Sequence, residues 1–484
     1  MLDSDKSSFK DKTFKSVFWK FIERGLTNGV QFLIGIILAR LLLPSDYGVI
    51  AILGIFIAVS QTIIDSGLSQ VVIQNQNRTE DDFSVMFITN FLLSLVLYVI
   101  LYFTAPYIAE FYKLPILIEV TRVYSLILII NTISIVSKTR NTIKLKFKIQ
   151  ARITVASIII SGVIGIIMAF RGLGVWALVC QQLLNAILQS VSYLLIEKSV
   201  TQWHYPLNKA KEIFTLGYKL LIANLLHTFY SNTQPLLIGK FYQPSQLGFY
   251  SRGDQMIKII PMNVSDVFSN TMFPVFCQYK DNESLDMFRE RFFKYIRLIA
   301  FLFFPIMFLL IALAKPLVLL LLTEKWEQSI IFMQILGFAY MLDPIMRLNA
   351  CIPTVFGRTD IQLKNETIKK IVALLLIFIG ALISISAMCW GMVIYSIFDI
   401  LITTHFIKKI IGTSFFDELK ILVRPLLYNA AILLFLILIN QEITNNILMI
   451  LVDIIFYGCT YFFILWKFPV EEIGILKQYL RKRI

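Results

Sequence analysis

The side chains in this sequence that offer chemistry are ionisable groups and amides set inside long apolar runs. One run carries Glu23, Thr27 and Gln31 at i, i+4 and i+8, with Arg24 and Asn28 beside them. On a helix that spacing draws a single polar stripe. A second run repeats the pattern with Gln61, Asp65 and Ser69, and a third holds Lys219, Asn224, His227, Ser231 and Gln234. A fourth holds Asp254, Lys258, Ser265, Asp266 and Ser269. An ionised group in hydrocarbon costs about 2.5–3.5 kcal/mol, so such residues face a wet cavity or a partner. Arg24, Lys219 and Lys258 are read as cavity cations. The amides of Asn28, Gln31, Gln61 and Asn224 fit either a cavity lining or hydrogen bonds between helices. This chemistry is recognition of a polar ligand.

Bond-making chemistry lacks its usual signatures. There is no GxxxxGK[ST] loop, no HExxH and no GxSxG elbow. His204, His227 and His405 stand far apart, and Cys180, Cys277, Cys351, Cys389 and Cys459 show no metal-ligand spacing. Neither a metal nor a cofactor is expected, and the chain reads as a non-enzyme. Asp343 and Arg347 stand at i, i+4 and read as a self-neutralising pair. Arg122 reads equally as a cavity group or as a side chain snorkelling to an interface. Pro235, Pro261, Pro274, Pro305, Pro344 and Pro353 are expected to kink their helices.

The elements that position these residues must be membrane helices. Of 484 residues 57% are hydrophobic and 16% charged, with a mean hydropathy of +0.74. Soluble domains carry roughly 25% charged residues. Apolar runs place spans near 16–40, 46–70, 83–105, 117–138, 152–170, 173–196 and 214–239. They continue at 246–276, 293–314, 328–352, 367–387, 389–407, 422–440 and 446–466. The expectation is an all-α polytopic membrane protein of about fourteen spans, at about twenty residues each.

The net charge of +14 does not signal nucleic acid, because the cations sit in short runs on alternate connections. Lys138-Arg140-Lys144-Lys146-Lys148, Lys209-Lys211, Arg289-Arg291-Lys294, Lys364-Lys369-Lys370 and Lys408-Lys409-Lys420 contrast with the poor connections Pro44–Tyr47, Ala105–Leu117, Arg171–Gly174 and Asn440–Asn445. The positive-inside rule then places both termini in the cytoplasm.

An internal repeat supports this order. Ala39-Arg40-x3-Pro44-Ser45-x2-Gly48 recurs as Gly239-Lys240-x3-Pro244-Ser245-x2-Gly248, each copy closing one span and opening the next. The Pro-Ser pair is expected to start the following helix. The offset gives two parallel six-helix bundles, 1–200 and 201–410, around a central cavity, with 411–484 adding two helices and a basic tail. Parallel repeats flanking a cavity are a transporter design.

The opening stretch Phe18-Trp19-Lys20-x2-Glu23-Arg24, with Gln31-Phe32 and Leu38-Ala39-Arg40-Leu41-Leu42-x-Pro44-x-Asp46-Tyr47-Gly48, resembles bacterial colanic-acid and teichuronic-acid exporters. Asp65-Ser66-Gly67-Leu68, Val72-Ile73-Gln74, Arg78-Thr79-Glu80-x-Asp82 and Leu247-Gly248-x-Tyr250-x-Arg252 continue the likeness. The chain is thus similar to the polysaccharide-transporter branch of the multidrug/oligosaccharidyl-lipid/polysaccharide exporter superfamily. The resemblance implies a flippase of the bacterial cytoplasmic (inner) membrane. Its cargo would be an undecaprenyl-pyrophosphate-linked oligosaccharide bound for capsule, O-antigen or exopolysaccharide, with a polysaccharide polymerase of the same pathway as a partner.

Under that resemblance, Arg24, Lys219 and Lys258 hold the pyrophosphate, for which a guanidinium is suited. Glu23, Asn28, Gln31, Gln61 and Asn224 meet the sugar. Arg40 and Lys240 guard the external mouth, Asp65 or Asp266 couples an ion, and the two last helices serve the lipid tail. The rivals are a cation-coupled multidrug antiporter of the same superfamily and a membrane polymerase or glycosyltransferase.

Overall fold

The computed structural model describes residues 24–65, 67–197 and 204–467, and every regular element among them is helical. In chain order the helices are α1 (24–41), α2 (Pro44–Asp65), α3 (Leu68–Gln74), α4 (Glu80–Tyr112), α5 (Ile116–Tyr124), α6 (Leu126–Ile133) and α7 (Ile135–Ile143). They continue as α8 (Phe147–Phe170), α9 (Val175–Glu197), α10 (Leu207–Phe241), α11 (Pro244–Asn282), α12 (Leu285–Ala312) and α13 (Ala314–Leu321). A 3-10 turn follows, then α14 (Ser329–Tyr340), α15 (Asp343–Val355), α16 (Thr359–Ile383), α17 (Ile385–Ile411), α18 (Phe415–Asn440) and α19 (Asn446–Lys467).

Ten helical segments among the described residues are long and apolar enough to cross a membrane. Helices α1, α10, α11 and α16 are not among them. They carry more polar residues, including those singled out above.

Local chemistry explains where helices begin. Pro44 and Pro244 are the first residues of α2 and α11, where a missing N–H costs nothing. The start of α2 is capped by Asp46, whose carboxylate accepts the Leu43 N–H at 3.0 Å. Helix α4 opens on a capping box in which Asp82 accepts the Thr79 N–H at 2.6 Å, so Arg78-Thr79-Glu80-x-Asp82 is a helix-start signal. Ser384 and Ser414 cap α17 and α18, and Gly412 ends α17 at φ 74°, a left-handed conformation that favours glycine.

The chain divides into two compact units, Met1–Gly248 and Phe249–Ile484. In the first, Ile34 and Leu38 of α1 and Leu42 just after it pack with Ile158 and Ala169 of α8 and Ala177 and Leu178 of α9. A second core joins Leu68, Val71 and Val72 of α3 to Phe83, Val85 and Met86 of α4, Val136 of α7, and Ala210 and Ile213 of α10. In the second unit α12 supplies a buried phenylalanine ladder, with Phe288 and Phe292 at 5.6 and 6.0 Å from the ring of Phe276. Helices α16 and α17 pack so closely that a Cβ on Gly380 would stand 2.5 Å from the Met388 Cα.

Candidate functional site

The polar helices of the first unit meet along a seam between α2 and α10. At one end Gly48 abuts Pro244: a Cβ on Gly48 would stand 1.8 Å from the Pro244 carbonyl oxygen. The contact is reciprocal, since a Cβ on Gly248 would stand 1.9 Å from the Pro44 oxygen. The two copies of the sequence repeat therefore pack on each other, backbone against glycine. Further along, a Cβ on Gly239 would touch Ile52 at 3.0 Å, and the hydroxyls of Thr62 and Thr228 share a hydrogen bond of 2.9 Å. At the far end Gly67, with φ 70°, lies under the Leu220 side chain. Small residues let the helices approach where lipid provides no hydrophobic drive.

Beside the seam a polar relay runs from α6 to α2. Asn131 Nδ2 donates to Gln61 Oε1 at 3.4 Å, and Gln61 Nε2 donates to Asp65 Oδ1 at 3.2 Å. Asp65 is exposed, Gln61 half-buried. On α1, Arg24 and Gln31 are exposed and Asn28 is half-buried. Asn224 is exposed on α10. Glu23 lies outside the described residues, as does the side chain of Lys219. Arg40 is exposed at the end of α1. Lys240 is tied down: its ammonium donates to the Phe111 carbonyl at 3.0 Å and sits 3.5 Å from that ring's centroid. The C-terminal carbonyls of α4 are a natural seat for a cation.

Lys258 and Asp266 belong to the second unit. Lys258 pairs with Asp254 at 3.7 Å, i to i+4, and its ammonium lies 5.6 Å from the Tyr340 ring, whose hydroxyl donates to Asp254. Asp266 accepts from Arg347 at 3.0 Å, and Arg347 also holds Asp343 at 2.9 Å. The Asp343–Arg347 pair is thus one arm of a triad that clips α15 to α11.

Other polar groups were missed by sequence reasoning. Lys369, which reads as a loop cation beside Lys364 and Lys370, is buried and pairs with Asp399 at 3.2 Å and Glu366 at 2.8 Å. Tyr395 and Thr403 also donate to Asp399, at 3.0 and 3.3 Å. The signal was there in Asp399, an acid in an apolar span. Asn131 and the Thr62–Thr228 bond were likewise passed over. Asn429 of α18 receives the Tyr457 hydroxyl of α19. Near the opposite end of α18 from Ser414 lies a cavity of about 400 Å³, walled by Ile311, Phe338, Trp390, Leu433, Ile437 and Met449. Among the described residues no group of His, Cys, Asp and Glu is placed to hold a metal ion.

Set against known proteins, residues 37–331 match the family described as "Polysaccharide biosynthesis protein". The chain is similar to the teichuronic acid biosynthesis protein TuaB of Bacillus subtilis, at 23% identity over 77% of either chain. Among solved structures it shares the fold of the lipid II flippase MurJ in an inward closed conformation, with a TM-score of 0.70, 14% identity, and 95% and 100% of the two chains covered. An inward-facing multidrug resistance MATE transporter is less similar, with a TM-score of 0.57 at 13% identity over 84% of this chain and 95% of its own.

Proposed function

We propose that this chain, a protein that belongs to the polysaccharide biosynthesis family, is a flippase that carries lipid-linked oligosaccharides across the bacterial cytoplasmic membrane. The observation that carries the reading is the reach of the family match. Residues 37–331 run from the end of α1 into the first turn of α14, so they take in both copies of the repeat and the whole α2–α10 seam. TuaB, by its name, serves teichuronic acid biosynthesis, and MurJ, by its own, is a lipid II flippase.

The cargo is an oligosaccharide on undecaprenyl pyrophosphate. A diphosphate needs cations in a wet cavity, and Arg24 offers two parallel donors to it. Lys219 and Lys258 add charge, while Glu23, Asn28, Gln31, Gln61 and Asn224 offer hydrogen bonds to sugar hydroxyls. The chain crosses the membrane fourteen times with both termini cytoplasmic. Residues 1–200 and 201–410 form parallel halves that alternate access, and 411–484 adds α18 and α19. The cavity against α18 and α19 is mostly apolar, with Lys315, Gln334, Asn440 and Gln441 also on its wall, and its apolar side suits an isoprenoid tail. Arg40 and Lys240 stand at the external mouth, where the grip of Lys240 on α4 supports a closed outer end. Asp266 is neutralised by Arg347, so Asp65 is the better placed carboxylate for ion coupling. The delivered repeat units feed a polysaccharide polymerase.

The test is transfer of a fluorescent undecaprenyl-pyrophosphate oligosaccharide between leaflets of proteoliposomes, with and without an imposed ion gradient. Transfer that depends on the protein is expected. A folded protein that leaves this lipid in place and instead expels cationic dyes is an antiporter, and the proposal falls.

A further inference from the structure

Helix α18 carries a carboxyl group that the reading above does not use. Glu418 lies one turn into the helix and has no exposed surface; nor does Asn349 of α15, which it faces. Asn349 Nδ2 donates to Glu418 Oε2 at 2.8 Å. The other oxygen of each group, Glu418 Oε1 and Asn349 Oδ1, is buried with no hydrogen-bond partner. Two acceptors left over across one existing hydrogen bond lack one thing, a hydrogen between them. An ionised carboxylate offers only acceptors, whereas the acid form carries an O–H donor.

We propose that Glu418 and Asn349 form a proton-binding site that ties α18 to α15. With the proton on Oε1, the acid donates to Asn349 Oδ1 while the amide donates to Oε2, closing a ring of two hydrogen bonds. Both orphan oxygens are then satisfied and no buried charge remains. Without the proton, the carboxylate and the amide oxygen are both buried without a donor, and the buried charge has no compensation. Release is simple: the O–H bond breaks, the proton passes to water, and the carboxylate must leave the contact.

Among the described residues no neighbouring charge replaces the proton. On α18, Asp417 caps Ser414 at 2.7 Å, and Lys420 and Arg424 are exposed. On α12, Arg289 and Arg291 are engaged by Asp286 and Glu283, Glu290 and Lys294 are exposed, and Arg297 is half-buried. On α17, Asp399 is held by Lys369, and His405, Lys408 and Lys409 are exposed. On α15, Arg347 is taken by Asp343 and Asp266, and on α19 Asp453 accepts from Asn440 at 3.0 Å. Among the described residues the side-chain contact that Glu418 makes is with Asn349.

The inference is independent of the cargo and is tested on the purified full-length protein in detergent. Glu418→Gln mimics the loaded site, because its amide donates to Asn349 Oδ1 and its carbonyl accepts from Nδ2. A proton bound in the fold and released on unfolding stabilises the acidic side, and that stability is lost as pH rises. The wild-type melting temperature is therefore expected to fall from mildly acidic to mildly alkaline buffer more steeply than that of Glu418→Gln, and Asn349→Leu should be less stable throughout.

Infrared difference spectra between wild type and Glu418→Gln, recorded at neutral pH, should show a carboxylic-acid carbonyl band only in the wild type. If Glu418→Gln does not fold, the wild type alone must show such a band, shifted on deuteration and lost in alkali. Parallel melting profiles, absence of the acid band, or stabilisation of the wild type by sodium at fixed pH would each overturn the proposal, the last by making the site a metal-ion site.

Discussion

Gly48 meets the carbonyl oxygen of Pro244 with no room for a side chain: a Cβ there would stand 1.8 Å from that oxygen. The mirrored contact of Gly248 on Pro44 leaves 1.9 Å. Two copies of one short motif thus serve each other as socket and plug, and their proline starts bring the helix N-termini together.

Gly48→Ala and Gly248→Ala should both weaken the fold, and by similar amounts. Forcing a methyl into a packed contact costs about 1–3 kcal/mol, and here the obstacle is backbone, which yields poorly. Gly54→Ala is the control, since nothing lies within 4 Å of its added Cβ. Thermal unfolding in detergent reads the difference. Equal melting temperatures for all three variants would show that the crossing gives way freely.

Lys369 and Asp399 make a buried pair within α16 and α17. Removing one partner strands the other, so Lys369→Met should destabilise the protein by about 3–5 kcal/mol. Replacing both, as Lys369→Met with Asp399→Leu, should recover most of that loss. A double-mutant cycle in denaturant measures it, and an additive result would mean the two charges do not interact.

Thr62 and Thr228 bond across the seam. Interhelical hydrogen bonds in membranes average about 0.6 kcal/mol, so the coupling energy between Thr62→Val and Thr228→Val should be of that order. Transport should survive both changes. Loss of transport with unchanged stability would instead place the hydroxyls on the substrate path.

The sequence displayed the apolar runs, the alternation of basic connections and the repeated Ala/Gly-cation-x3-Pro-Ser motif. It did not reveal that the copies touch, because contact between residues two hundred positions apart leaves no trace in one sequence. Lys369 was misplaced for a related reason. A cation at the edge of an apolar run looks solvated until its partner, Asp399 on the next helix, is set beside it. Glu418 likewise reads as one of two acids at a helix start, where the dipole favours them. Its burial comes from tertiary packing of α18, chiefly against α12. Arg347 shows the opposite case, since half of its triad, the i, i+4 bond to Asp343, was visible in the spacing alone.

The most direct measurement is the rate at which proteoliposomes bearing wild type, Arg24→Lys and Arg24→Ala transfer undecaprenyl-pyrophosphate oligosaccharide at matched protein levels. If Arg24 grips the headgroup, loss of a charge-assisted hydrogen bond of about 1.5–3 kcal/mol predicts a fall of roughly ten- to a hundredfold in Arg24→Ala. Arg24→Lys, which keeps the charge and loses the fork, should fall in between. Equal rates for all three proteins would contradict the phosphate grip, and no transfer by a folded wild type would contradict the flippase itself.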